Sequence, residues 1–204
     1  TLLTMDIPNS FKAARPLVKV VVILLVIAQV CNWLAFCTTS WYVHLDNNAY
    51  IGLWRSCSLT YCNPRDGIPV AFVMAVQAFA IFGFVSMNIS FWLVLLYTLS
   101  TKYRLSSPTY RLAAGLLLCA VVSWLISVVV FGTNVCINSG EYNGKYVGCH
   151  YSYGLAVCAV VLSLTACILI FIDTRSVRTT VVSQRNVQVE TTVTYSTTQH
   201  QQIR

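Results

Sequence analysis

The stretch GIPVAFVMAVQAFAIFGFVSMNISFWLVLLYTLST, residues 67–101, contains no Asp, Glu, Lys or Arg, and it decides the class of fold. Three further stretches without these residue types cover residues 20–45, 112–140 and 146–172. Each is longer than the roughly 20 residues that a helix needs to cross about 30 Å of hydrocarbon, at about 1.5 Å per residue. The sequence therefore predicts an integral membrane protein with four transmembrane helices.

The overall composition supports this prediction. Of the 204 residues, 57% are hydrophobic and 9% are charged. A typical soluble domain has about 25% charged residues, so the composition argues against a soluble globular enzyme.

The formal net charge of +7 is unevenly distributed. Ten of the thirteen basic residues flank the spans on one side: Lys12, Arg15, Lys19, Lys102, Arg104, Arg111, Arg175, Arg178, Arg185 and Arg204. On the other side, three basic residues are balanced by three acidic ones: Arg55, Arg65 and Lys145 against Asp46, Asp66 and Glu141. The positive-inside rule therefore predicts that both termini are cytoplasmic. The basic residues form no continuous face, so we expect no nucleic-acid partner.

These patterns divide the chain into three segments. Residues 1–16 are a cytoplasmic N-terminus, residues 17–173 a four-helix membrane domain, and residues 174–204 a flexible cytoplasmic tail. The predicted helices cover residues 17–37, 68–97, 112–131 and 151–172, with outer loops at residues 38–67 and 132–150. A cleaved signal peptide is the alternative for the first apolar run. Its length and the lack of a small-residue cleavage site favour a retained span.

Four of the nine cysteines fall in the predicted outer loops. Cys57 and Cys62 share the first loop, and Cys136 and Cys149 share the second. In an oxidising compartment two within-loop disulfides are the simplest of the three pairings. A zinc site is the weaker alternative, although His150 adjoins Cys149, because zinc ligands usually come in spaced pairs. We therefore predict no metal and no cofactor.

The first outer loop has the pattern of a β-hairpin. WYVHL (residues 41–45) and YIGLW (residues 50–54) are predicted as short strands, and Asn47 and Asn48 between them are typical turn residues. Trp41 and Trp54 have two interpretations at this stage. They either anchor the chain at the headgroup level or pack the strands against the helix ends.

The same loop resembles the signature of the claudin superfamily. This group includes claudins, peripheral myelin protein, epithelial membrane proteins, the lens fibre membrane intrinsic protein and calcium-channel γ subunits. The residues that carry the resemblance are Trp41, Gly52, Leu53, Trp54, Cys57 and Cys62. The spacing of the two cysteines is more like that of the lens fibre and epithelial membrane proteins than that of claudins. VQAFAIF, from Val76, also resembles the family's start of the second span, with Gln77 where an Arg is usual.

The resemblance implies a fold: a left-handed four-helix transmembrane bundle with a small extracellular antiparallel β-sheet. It also implies a non-enzymatic plasma-membrane protein of cell–cell junctions. Such a protein would contribute to adhesion, junction or barrier organisation by self-association of its outer loops in cis or in trans. An auxiliary, γ-like subunit of an ion channel and a membrane-organising protein of the myelin or lens type are the alternatives. The expected partners are the lipid bilayer, further copies of the chain, and channel or junction proteins.

Two other functional classes are disfavoured by the residues themselves. A transporter should keep ionisable residues at mid-membrane, where each costs about 2.5–3.5 kcal/mol, and the spans have none there. Interhelical hydrogen bonds explain their polar residues: Gln29, Asn32, Gln77 and Asn88. His44, Asp46 and Cys57 are close in sequence, but Cys57 is better used in a disulfide, so we predict no catalysis. The balanced loop charges predict that replacing Asp46 or Asp66 changes ion preference little.

Overall fold

A computed structural model describes residues 11, 14–44, 49–58, 60–65, 71–99, 107–137 and 147–202, with the backbone alone beyond Ser176. In this part of the chain four helices are long and apolar enough to cross a membrane. They are α1 (Pro16–Cys37), α2 (Ala71–Leu99), α3 (Ser107–Phe131) and α4 (Tyr151–Gln202). The prediction of a four-helix membrane fold is confirmed.

Proline residues mark the starts of two helices. Pro16 is the first residue of α1, and Pro108 is the second residue of α3. A proline is tolerated there because the first N–H groups of a helix have no intrahelical acceptor. Helix α3 consequently starts five residues before the predicted position 112, at Ser107.

The four helices form a ring in which each contacts two neighbours. Helix α1 packs against α2 and α4, and α3 packs against the same two helices. The buried core includes Leu25, Met87, Leu117 and Ile170, one from each helix. Large apolar side chains also cover the outer faces, with Ile23, Phe82, Trp92, Val129 and Ile168 each about half exposed or more. Helices that are apolar on every side fit a bundle surrounded by lipid.

Some polar side chains inside the bundle bind neighbouring helices, as predicted for Gln29 and Asn88. The prediction is wrong for the other two: Gln77 binds the Leu53 carbonyl outside the helices, and neither polar atom of the buried Asn32 side chain has a hydrogen-bond partner. The Gln29 amide of α1 donates to the Asn88 Oδ1 of α2 at 2.5 Å. The Ser90 hydroxyl of α2 donates to the Ala113 carbonyl of α3 at 2.8 Å. Ser127 of α3 donates back to α2, to the Val76 carbonyl at 3.1 Å. These bonds tie α2 to both of its neighbours.

One end of the bundle, the sheet end, is covered by a five-stranded antiparallel sheet in the order β4-β3-β2-β1-β5. The strands are β1 (Tyr42–His44), β2 (Ala49–Ile51), β3 (Arg55–Cys57), β4 (Cys62–Pro64) and β5 (Val147–Cys149). Tyr42 of β1 pairs with Ile51 on one side and with Cys149 on the other. Both inter-helix connections at this end therefore contribute to one sheet.

The sheet differs from the predicted hairpin in two ways. The predicted strand 50–54 is divided, because the Gly52 N–H donates to the Arg55 carbonyl at 2.9 Å in a tight turn between β2 and β3. Strand β5 was not predicted. The predicted turn residues, Asn47 and Asn48, lie outside the described residues.

Two other segments also differ from the prediction. The second loop, predicted at residues 132–150, begins with a π-helical turn, Gly132–Ile137, that continues α3, and it ends with β5. The tail, predicted to be flexible from residue 174, is instead a continuation of α4 to Gln202. Residues 174–202 contain neither Pro nor Gly, so no helix-breaking residue ends α4 after the membrane span.

At the end opposite the sheet, four side chains form a contact that we name the clasp: Arg15, Tyr97, Tyr110 and Asp173. The Arg15 guanidinium pairs with the buried Asp173 carboxylate at 2.8 Å and donates to the Tyr97 hydroxyl at 3.1 Å. The Tyr97 and Tyr110 rings stack with centroids 4.3 Å apart. The clasp therefore takes one residue each from α2, α3 and α4, and its fourth residue, Arg15, directly precedes α1.

Candidate interaction surface at the sheet end

The two signature tryptophans connect the sheet to the end of α1. The Trp41 indole N–H donates to the Ala35 carbonyl at 2.7 Å, and the Trp54 indole N–H donates to the Phe36 carbonyl at 2.9 Å. Carbonyls in the last turn of a helix have no intrahelical donor, so these two indoles supply the missing hydrogen bonds. Of the two interpretations of the tryptophans, the structure shows packing against a helix end.

The Trp41 ring is the centre of an aromatic cluster under the sheet. Its side chain is fully buried, at 0% exposure. It stacks on Trp124 of α3 at a centroid distance of 6.3 Å and meets Phe131 edge-on at 4.9 Å. Tyr153 of α4 lies at 6.1 Å on another side. One residue of the first connection thus joins the sheet to three helices.

Gly52 and Leu53 fit the sheet closely onto the rest of the protein. A Cβ atom at Gly52 would lie 2.6 Å from both the Thr38 carbonyl oxygen and the Thr39 Cα, which leaves no room for a side chain. Leu53 is buried at 3% exposure, and its carbonyl accepts a hydrogen bond from the Gln77 amide of α2 at 2.7 Å. Gln77, at the position where the resemblance would place an Arg, therefore holds the signature turn against α2.

Two disulfides brace the sheet, one in each of the two connections at this end. Cys57 is bonded to Cys62, which joins β3 to β4, and Cys136 is bonded to Cys149, which joins the π-helical turn to β5. In the chain-entropy model, loops with sequence separations of 5 and 13 give stabilisations of about 2 and about 3 kcal/mol. The bridges compensate for strands of three residues each.

Arg65, just after β4, folds back over the sheet. Its Nη1 donates to the Gly52 carbonyl at 3.2 Å, and its guanidinium lies 5.8 Å from the centroid of the Tyr42 ring. Burial raises the pKa of the Tyr42 phenol above its ordinary value, and the Arg65 charge acts in the opposite direction. The phenol is neutral at physiological pH, as it would be at the ordinary tyrosine pKa of about 10.

The outward side of the sheet end exposes aromatic and apolar side chains. The His150 ring lies between the rings of Tyr50 and Tyr151, at centroid distances of 5.7 and 4.9 Å. Tyr50 is 41% exposed and Tyr151 is 53% exposed, and we name these three residues the aromatic trio. Tyr61, near the opposite edge of the sheet, is 62% exposed. The trio combines residues from both connections, which the sequence alone did not bring together.

The predicted site residues fall into two groups. The six signature residues belong to the sheet or lie directly beneath it, and Cys136 and Cys149 are at its other edge. Asp46 and Asp66, whose replacement is predicted to change ion preference little, lie outside the described residues. Within the described ranges, no group of three or more His, Cys, Asp or Glu side chains could hold a metal ion. The sequence did not predict that Gln77 binds the Leu53 carbonyl and holds the signature turn against α2. The available signal was the segment VQAFAIF, which contains Gln77 and resembles the family's start of the second span.

The sequence model of the family described as PMP-22/EMP/MP20/Claudin tight junction matches residues 59–172, more than half of the chain. The chain belongs to this family. The claudin-family match includes Cys62 but starts after Trp41, Gly52 and Trp54, so those residues are separate support for the same conclusion. No curated protein sequence matches the chain.

Membership in the claudin family agrees with the architecture described above. Four membrane-spanning helices and a small antiparallel sheet make this a multi-pass membrane protein surrounded by a lipid bilayer. Membership also implies a structural or channel-related protein rather than an enzyme.

Proposed function

We propose that this claudin-family protein acts at the plasma membrane where two cells meet, and that its sheet end binds a second copy of the chain. The observation that carries this proposal is the aromatic trio on a disulfide-braced sheet. Aromatic side chains provide large contact areas at a low cost in conformational entropy, and they are enriched where proteins bind one another. Such contacts would organise adhesion, a junction or a barrier.

Two independent features support an extracellular sheet. Both disulfides are at the sheet end, and disulfides persist in oxidising compartments such as the cell exterior. Basic residues gather at the other end: Arg15 directly precedes α1, Arg111 lies near the start of α3, and Arg175 lies at the end of the membrane span of α4. By the positive-inside rule that end is cytoplasmic, as are both termini.

An adhesive surface also needs to be rigid, because ordering a mobile surface on binding costs affinity. The sheet is attached to α1 by the indoles of Trp41 and Trp54, and to α2 by Gln77. The Ser152 N–H at the start of α4 donates to the Ser40 carbonyl at 3.1 Å. The trio is therefore held in a fixed position on three helices before a partner arrives.

The proposal is tested by mixing cells that express a fluorescently tagged copy with cells that lack it. We expect enrichment only at borders between two expressing cells. The Tyr50→Ser/Tyr151→Ser variant should lose this enrichment while reaching the cell surface normally. Tyr61→Ser is the control, because it makes the same kind of change at one tyrosine that is still more exposed, near the β4 edge of the sheet.

The alternative outcomes are informative. A uniform surface distribution, whatever the neighbouring cell, would refute self-adhesion and favour the channel-subunit alternative, which co-purification with a channel would then test. Enrichment that survives in the double variant but is lost in Tyr61→Ser would show that the contact lies at the β4 edge and not at the aromatic trio.

A further inference from the structure

A cleft lies between the sheet and the adjoining ends of α2 and α3. Arg65 and Tyr42 line its sheet side, and Phe72, Val76, Phe131 and Val135 line its helix side. It encloses only about 20 Å³, room for about one water molecule, and the rest of its space opens outward. The cleft therefore has apolar walls with one guanidinium on its sheet side.

The charge in the cleft lacks a described counter-charge. Arg65 contacts the Gly52 carbonyl and the Tyr42 ring, both of which are uncharged. Asp173, the acidic residue whose side chain is described, pairs with Arg15 at the far end of the bundle, and Asp66, next to Arg65, lies outside the described residues. A guanidinium has five N–H donors, so it can bind an anionic oxygen in addition to these contacts.

The position of the cleft matches the boundary between hydrocarbon and water. Phe72 belongs to the first turn of α2, where the second membrane span begins. Next to it Met74 is 51% exposed, and Ile137, two residues after Val135, is 75% exposed. Apolar side chains therefore continue from the cleft onto the lipid-facing surface, whereas Arg65 belongs to the polar sheet above them. Headgroup phosphates are found at this depth.

We propose that the cleft binds the phosphate of a phospholipid headgroup through Arg65. Arginine binds phosphate by paired, charge-assisted hydrogen bonds, which are stronger than hydrogen bonds between neutral groups. The enclosed volume of about 20 Å³ is far below the roughly 300–1,000 Å³ of sites that enclose a small molecule. The phosphate therefore lies at the open mouth of the cleft, against Arg65, and the acyl chains lie in the bilayer along the exposed apolar side chains of α2. This site does not depend on the proposed adhesive role.

The proposal is tested with the full chain, purified in detergent and stripped of lipid. Its apparent melting temperature is measured after adding phosphatidylcholine, a diacylglycerol with the same acyl chains, or inorganic phosphate. We expect phosphatidylcholine near saturation to raise the melting temperature by about 5 °C, and the other two additives to have little effect. The Arg65→Gln variant should lose the increase. Arg55→Gln, which removes the same charge from an exposed position on β3, should keep it.

Three results would overturn the proposal. Equal stabilisation by the diacylglycerol would show that the phosphate is not recognised. Equal stabilisation by inorganic phosphate would indicate an anion site that does not need a lipid. An undiminished lipid effect in Arg65→Gln would show that Arg65 is not the binding group.

A second variant covers the case in which Arg65→Gln fails to fold. Val135→Trp fills the cleft with a larger apolar side chain and leaves Arg65 in place. We expect this variant to lose the phosphatidylcholine effect, and native mass spectrometry should show less co-purified phospholipid than in the wild type. Retention of the lipid at wild-type levels would place the lipid elsewhere and refute the proposal.

Discussion

Replacing Arg15 by Gln tests whether the clasp stabilises the bundle at the end opposite the sheet. The Asp173 side chain is only 5% exposed and its Oδ2 has no hydrogen-bond partner, so Arg15→Gln leaves a buried carboxylate without its cation. Removing one partner of a buried ion pair costs about 3–5 kcal/mol. Because the Arg15 side chain is 41% exposed, water already weakens the pair, and we expect the lower value, about 3 kcal/mol.

This loss of stability is measured as a change in apparent melting temperature. For a chain of this size 1 kcal/mol corresponds to roughly 2–4 °C, so Arg15→Gln should melt about 6–12 °C below the wild type. The assay is size-exclusion chromatography of the tagged, detergent-solubilised protein after heating to a series of temperatures. Arg55→Gln is the control, since Arg55 is exposed and a surface substitution changes stability by only about 0.5 kcal/mol.

The double variant Arg15→Gln/Asp173→Asn separates the ion pair from other effects. It removes the stranded carboxylate as well, so it should recover part of the stability lost in Arg15→Gln. If Arg15→Gln melts at the same temperature as Arg55→Gln, the buried pair contributes nothing and the reasoning is wrong. A double variant less stable than Arg15→Gln would contradict it too.

Three further substitutions test the attachment and bracing of the sheet in the same melting assay. Gly52→Ala should destabilise the protein by about 1–3 kcal/mol, because its Cβ would lie 2.6 Å from backbone atoms, whereas Gly148→Ala, with nothing within 4 Å, should cost much less. Gln77→Leu leaves the Leu53 carbonyl without its donor and should cost about 1–3 kcal/mol, and wild-type stability in this variant would show that the bond is dispensable. Cys136→Ser opens the disulfide to β5 and should cost about 3 kcal/mol; an unchanged melting temperature would mean that this bridge does not stabilise the fold.

The helices were predictable because their signal is local and repeated. A membrane span requires a long run of apolar residues, and such a run is visible without knowledge of its neighbours. The disulfide pairing also followed from local information, since the bonded cysteines are separated by only 5 and 13 positions. The ends of the helices were less accurate. Helix α3 begins at Ser107 and not at the predicted residue 112, because Pro108 is tolerated in the first turn of a helix.

The parts that were missed depend on contacts between distant segments. Strand β5 has three residues, Val147–Cys149, and it becomes a strand because β1, which follows α1, lies beside it. The cleft likewise requires Arg65 from the first connection and Val135 from the second. Hydropathy and residue spacing describe each segment separately, so neither signal could predict these contacts between distant segments. The aromatic trio has the same origin.

The indole hydrogen bonds described for Trp41 and Trp54 have a mechanical consequence. They join the sheet to the last turn of α1 through the Ala35 and Phe36 carbonyls. A pulling force on the sheet is therefore shared by α1, a helix of 22 residues that reaches the opposite end of the bundle, and by α2 and α4, which the sheet also contacts. At that opposite end Arg15 passes the load to α4 through Asp173. Side-chain contacts at both ends of α1 thus link the sheet to the clasp.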